Sequence, residues 1–199
     1  MAVTRERFDS GMTYDEYKAQ MTRNRERLEA NERSLQIDPA DLAAFRNPPQ
    51  PLNVLAIAED WCGDVIANLP ILGRLAAESG KLNVRVFLRD QNLDLMDQYL
   101  KEGKFRSIPT FVFFDESFNQ VGWFSERPDS VTRLWQQKRR EIFAQHPGFG
   151  SPDTPIDQLS EDVRVRLSQA MAAMRAEAEG FANREVIREL RQIVDQAVR

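Results

Sequence analysis

The fold turns on Leu52-Asn53-Val54-Leu55-Ala56-Ile57-Ala58-Glu59-Asp60-Trp61-Cys62-Gly63-Asp64-Val65. Its first seven residues make an apolar run of strand length, suited to a strand buried on both faces. From Gly63 onward, Ile66, Leu69, Leu72, Leu75 and Ala76 follow helical spacing, with Gly80 as the stop and Pro70 predicting a kink. Cys62 therefore falls at a strand-to-helix junction, where N-terminal amides and the macrodipole favour an anion. Such a setting can turn an inert thiol into a thiolate nucleophile. The position that would complete a Cys-x-x-Cys pair holds Val65, so the sequence supplies one thiol without its usual companion.

Composition narrows the function classes. The 199 residues are 42% hydrophobic, enough for one good core with length left for extensions. Charged residues make up 29%, with both signs interspersed and a net charge of −4. A nucleic-acid or anionic-membrane partner would call for a basic excess, so neither is expected. No apolar run approaches the roughly 20 residues of a membrane span. The charged start (Arg5, Glu6, Arg7, Asp9) has no hydrophobic stretch after it and does not read as a secretory signal. A single cysteine allows no internal disulfide, which fits a reducing compartment, and the chain reads as cytoplasmic. One Cys and one His cannot build a Cys/His zinc site, and neither a metal nor another cofactor is expected.

Taken in order, Thr13-Tyr14-Asp15-Glu16 has the form of a capping box. Tyr14, Tyr17, Met21, Leu28 and Leu35 after it predict one long amphipathic helix with a narrow apolar stripe. That stripe could face its own domain or the same stripe of a second copy, making a homodimer through the helical extensions. Asp38-Pro39 opens a short helix to about Phe45, and Pro48-Pro49-Gln50-Pro51 closes the segment. Leu82 to Leu88 reads as a strand and Asn92 to Leu100 as a helix. Pro109 to Phe114 and Gln120 to Phe124 read as a hairpin, followed by a charged helix from Asp129 to about Gln145. Beyond Pro152, Ser160 caps a helix carrying Val163, Leu167, Met171 and Met174. A further helical pattern runs through Val186, Ile187, Leu190, Ile193 and Val194.

The order β-α-β-α-β-β-α specifies an α/β sheet covered by helices. Ala58-Glu59-Asp60-Trp61-Cys62-Gly63 resembles the active-site approach of thioredoxins. Arg106-Ser107-Ile108-Pro109-Thr110 resembles their second signature, whose proline follows a cis peptide bond and faces the active-site cysteine. More narrowly, Trp-Cys-Gly-Asp with Asn68-Leu69-Pro70 and Arg89 to Asp97 looks like a bacterial thioredoxin-family subgroup with a Trp-Cys-Gly-Asp-Cys motif, here lacking the second Cys. The resemblance implies a thioredoxin-like fold, a central mixed sheet flanked by helices. On this reading residues 1–46 are an N-terminal helical extension, 47–146 the thioredoxin-like domain and 147–199 a C-terminal helical extension.

The resemblance also assigns roles. Cys62 matches the attacking thiol, while Trp61, Gly63, Ile108 and Pro109 match the surface that receives the substrate. Arg106 and Arg127 border the same site, Arg127 in a loop where the family usually has small residues. By the same alignment, the family's buried acid and its lysine neighbour are replaced by Ala56 and Val86. The proton acceptor for a resolving thiol is thus gone together with that thiol. Glu59, Asp60 and Asp64 oppose ionisation of Cys62, whereas the helix end and the two arginines favour it, and a modestly lowered thiol pKa is expected. Two functions follow. One is a monothiol thiol-disulfide oxidoreductase forming mixed disulfides with protein or low-molecular-weight thiols. The other is a redox-inactive thioredoxin-fold binding or assembly module.

Overall fold

The structure is a computed structural model that describes residues 3–197. Its helices are α1 (Arg5–Asp9), α2 (Tyr14–Gln20), α3 (Arg25–Ser34), α4 (Pro39–Arg46) and α5 (Gly63–Ser79). They continue as α6 (Leu93–Met96), α7 (Asp129–Gln145), α8 (Glu161–Glu177) and α9 (Glu179–Gln196). The strands are β1 (Leu52–Ala58), β2 (Leu82–Leu88), β3 (Thr110–Phe114) and β4 (Gln120–Ser125). The chain divides into two compact units, one running to Arg127 and resuming at Val186, the other Pro128–Glu185.

In the first unit, the strands form one mixed sheet in the order β2-β1-β3-β4. β1 and β2 are parallel, joined through α5, and β3 returns antiparallel beside β1 before turning into β4. All seven residues of β1 are buried, as a central strand covered on both faces requires. The segment before α2 closes one edge of the sheet: Met12 and Val86 exchange both backbone hydrogen bonds, at 3.0 and 2.7 Å. That pairing satisfies backbone groups which an open edge would leave exposed. Tyr17, Met21, Leu28, Leu35 and Phe45 from the N-terminal helices join the core formed by the sheet and α5. Val186, Ile187, Leu190, Ile193 and Val194 of α9 belong to it too. The apolar stripe of the N-terminal segment therefore meets its own domain.

Two expected helices are shorter than predicted. The long N-terminal helix is two helices, α2 and α3, separated at Met21–Asn24. The break has a chemical cause: the Asp60 carboxylate accepts from Thr22 N (2.8 Å), Thr22 Oγ1 (3.1 Å) and Arg23 N (3.0 Å). Amides that would have pointed along a helix are taken by that carboxylate, and Asn24 turns left-handed at φ 56°. The helix expected over Asn92 to Leu100 is only α6, preceded by a 3₁₀ turn at Arg89–Gln91. The Asn92 side chain reaches back to the Leu88 carbonyl (2.7 Å) and accepts from Arg7 (2.7 Å), which fixes the chain in a turn there. The Thr13–Glu16 capping box, the Asp38-Pro39 helix start, the Gly80 stop at φ 65° and the β3–β4 hairpin all form as expected.

The second unit carries its own small core of Ile142, Phe143, Phe149, Leu159 and Leu167. Three arginines lie over aromatic rings within it: Arg139 on Phe143, Arg166 on Phe149 and Arg175 on Trp135. Among the described residues, no helix is long and apolar enough to cross a membrane.

Candidate functional site

β1 ends at Ala58, and the short loop Glu59–Trp61 delivers Cys62 to the N-cap of α5. Ile66 N–H bonds the Cys62 carbonyl (3.1 Å), so the helix begins immediately behind the thiol. The backbone N–H groups of Asp64 and Val65 donate toward the sulfur. The thiol itself donates to the Ile108 carbonyl at 3.5 Å. That carbonyl belongs to the Ile108–Pro109 peptide, which is cis. Chain-distant Cys62 and Ile108-Pro109 are thus brought together, with Trp61 and Gly63 on either side of the thiol. Val65 is fully buried in the first turn of α5. Ala56 and Val86 are register partners on β1 and β2, both fully buried, so the sheet is apolar at these two positions.

Electrostatics run against the lowered pKa expected from the sequence. Burial pushes the Cys62 thiol up, and this outweighs the amides of Val65 and Asp64, which pull it down. Asp64 adds a further upward push and Arg127 a downward one. These two side chains pair with each other, Nη1 to Oδ2 at 3.2 Å, so their effects at the sulfur largely cancel. Of the three carboxylates expected to oppose ionisation, Asp64 does so, and sequence distance gave no measure of burial.

Arg127 also pairs with Glu126, which in turn binds Lys101 at 2.9 Å. Burial alone would raise the Glu126 carboxyl, yet Lys101 and Arg127 hold it below the usual carboxylate range. Glu126 adopts a left-handed φ of 62°. Its N–H donates to the Pro109 carbonyl (2.7 Å), and its own carbonyl accepts from buried Asn68 of α5 (2.8 Å). One residue therefore ties the cis-proline loop, α5 and the loop after β4 together. Arg106 is turned to other use, forming a bidentate pair with Asp97 at 2.7 and 2.9 Å. Trp61 remains 44% exposed, and the Arg89 guanidinium lies over its ring at 4.8 Å.

Sequence reasoning missed Glu126, Asn68, Lys101 and Arg89 as neighbours of this region. A Glu-Arg pair before a proline and a lone Asn in an apolar helix are common patterns, and only the fold brings them together. The Asp60 clamp on Thr22 and Arg23 was equally hidden, because a capped apolar periodicity ran straight through it.

A mixed four-stranded sheet, with a cysteine at the first turn of the helix after β1 facing a cis-proline, defines a thioredoxin-like protein. A family model described as thioredoxin matches residues 11–139, and the chain belongs to that family. No curated protein matches the chain. Two solved structures resemble it along their whole lengths. A protein of unknown function from Pseudomonas aeruginosa is 20% identical, with a TM-score of 0.69 and 99% of each chain covered. An HIV epitope scaffold is 18% identical, with a TM-score of 0.65 and 98% of each chain covered. Both support the fold, and at that coverage the likeness takes in the terminal helices as well as the sheet.

Proposed function

We propose that this chain is a monothiol thioredoxin-like protein, in which Cys62 exchanges with disulfides of protein or low-molecular-weight partners in the cytoplasm. The observation that carries the reading is the setting of the sulfur. It sits at a helix N-terminus, faced by the Asp64 and Val65 amides and by the Ile108 carbonyl beside the cis-proline. A thiolate there attacks one sulfur of a target disulfide. The new S–S bond forms as the old one breaks, and the electron pair leaves on the departing thiolate. Val65 cannot resolve the mixed disulfide. An external thiol must attack the partner's sulfur, which frees Cys62 and carries the partner away as a new disulfide. Trp61, Gly63, Ile108 and Pro109 supply the receiving surface, bordered by Arg106 and Arg127, each of which is held in an ion pair with a carboxylate.

One observation favours a second reading, a redox-inactive binding or assembly module. Burial raises the Cys62 pKa, so less thiolate is available at neutral pH than at an activated cysteine. Disulfide reduction by the native chain, Cys62→Ser and Val65→Cys, each with and without glutathione, separates the two. The monothiol reading expects turnover by native protein only with glutathione and none by Cys62→Ser. If neither native protein nor Val65→Cys turns over, the redox reading falls and the binding module stands.

A further inference from the structure

Asn68 breaks the pattern of its helix. The other buried residues of α5 are apolar or glycine, whereas Asn68 is 5% exposed and carries an amide. Burying a polar side chain is costly unless it is hydrogen-bonded, and here the partner indicates the use. Asn68 Nδ2 donates to the Glu126 carbonyl at 2.8 Å, crossing from α5 to the turn after β4. Glu126 donates its own N–H to the Pro109 carbonyl at 2.7 Å. The preceding carbonyl, that of Ile108, accepts from the Cys62 thiol at 3.5 Å. These bonds close a ring that runs from Cys62 along α5 to Asn68, across to Glu126, and back through Pro109 and Ile108 to the sulfur. Glu126 needs the hold. Its φ of 62° is left-handed, a region that residues with a Cβ rarely adopt, and such a backbone persists where its surroundings fix it. Lys101 and Arg127 hold its carboxylate, while Asn68 holds its backbone. The hydroxyl of buried Thr110 bonds the Ser107 carbonyl at 2.9 Å, which closes the proline segment on itself without reaching α5.

We propose that Asn68 is a positioning residue of the Cys62 site, which through the Glu126 turn holds Ile108-Pro109 in place against the thiol. The inference deepens the monothiol reading and rests on Cys62 as the reacting group. A disulfide received on this surface must present one sulfur in line with the Cys62 sulfur, and a misplacement of about 1 Å can cost on the order of a hundredfold in rate. A small alkylating reagent needs no such seat. Loss of the Asn68 amide therefore slows attack on a disulfide and spares alkylation of the same thiol.

Asn68→Leu nearly keeps the side chain's size and removes its donor. The first measurement is amide hydrogen exchange in native protein and variant. The Glu126 amide should exchange about tenfold faster or more in the variant, while amides in the middle of α5 keep their protection. The second compares two reactions of Cys62 at pH 7. Mixed-disulfide formation with glutathione disulfide should slow about ten- to hundredfold, and alkylation by iodoacetamide should change by less than about twofold, as expected when only the seat is lost. If Asn68→Leu loses its cooperative melt, Asn68→Ser, too short to reach the Glu126 carbonyl, takes its place in both measurements. A Glu126 amide as protected in the variant as in native protein overturns the proposal. So does a fall in both reactions by the same factor, which would reflect the thiol itself or a loosened fold. Native protein that forms no mixed disulfide, beside a Glu126 amide that quickens in the variant, removes the exchange function and upholds the Asn68 hold on the proline segment.

Discussion

At the residue scale, Cys62 is governed by a contest that sequence could frame but not decide. The residues on each side were legible: Asp64 against, Arg127 and the helix end in favour. The deciding weight is burial, which depends on how loops close over the sulfur and has no signature in a string of residues. Two consequences can be measured. Because Asp64 and Arg127 form a half-buried pair, removing either exposes the other to the thiol. Asp64→Asn should lower the Cys62 pKa and Arg127→Met should raise it, each by about half a unit to one unit, as expected for partly exposed charges of about 1 kcal/mol. Iodoacetamide titration of both variants checks the opposite signs. The raised thiol pKa also links to stability. Above the unfolded value of about 8.5, the unfolded chain loses its thiol proton while the folded chain keeps it. Stability therefore falls as pH rises from there through the folded pKa. Urea unfolding of native protein should show this extra loss as pH rises above about 8.5, and Cys62→Ser should lack it.

At the scale of elements, the regular pieces announced themselves and the irregular ones did not. β1, α5, the hairpin and α9 have strong periodicities bounded by Gly, Pro or caps, and the first three flank the thiol and the cis-proline. The α2–α3 break was illegible because its cause lies 38 residues away, in one carboxylate that takes two backbone amides and a hydroxyl. Local propensity favours continuing the helix, and a tertiary hydrogen-bond network overrides it. Asp60→Ala tests whether that network sets the break. The variant should lose about 1–3 kcal/mol of stability. Amide exchange should quicken at Thr22 and Arg23 while α5 stays protected. Full protection at Thr22 and Arg23 in the variant would mean that helix packing, rather than Asp60, holds the turn.

For the whole molecule, the question is whether the terminal helices are appendages or parts of the fold. The sequence separated them at Pro and Gly punctuation, which marks where the chain changes direction and is silent about where its apolar faces go. The structure puts Val186, Ile187, Leu190, Ile193 and Val194 into the same core as the sheet, and Ile193 rests against Gly122 of β4 at 3.0 Å from where a Cβ would stand. Arg191 adds a pair to Asp41 of α4 at 3.2 Å. Fully burying such a side chain contributes about 1.5–3 kcal/mol, so five of them approach the roughly 5–15 kcal/mol that separates a folded domain from its unfolded chain. Ending the chain at Glu185 should therefore do more than trim a tail. The shortened protein should lose its cooperative melt or aggregate, and its Cys62 should alkylate at the rate of a free peptide thiol. Gly122→Val, which sets a branched side chain against Ile193 in the full chain, should show the same effect in milder form. It should cost about 1–3 kcal/mol by urea unfolding. A shortened chain that melts cooperatively with native Cys62 reactivity would show the sheet and N-terminal helices to be self-sufficient.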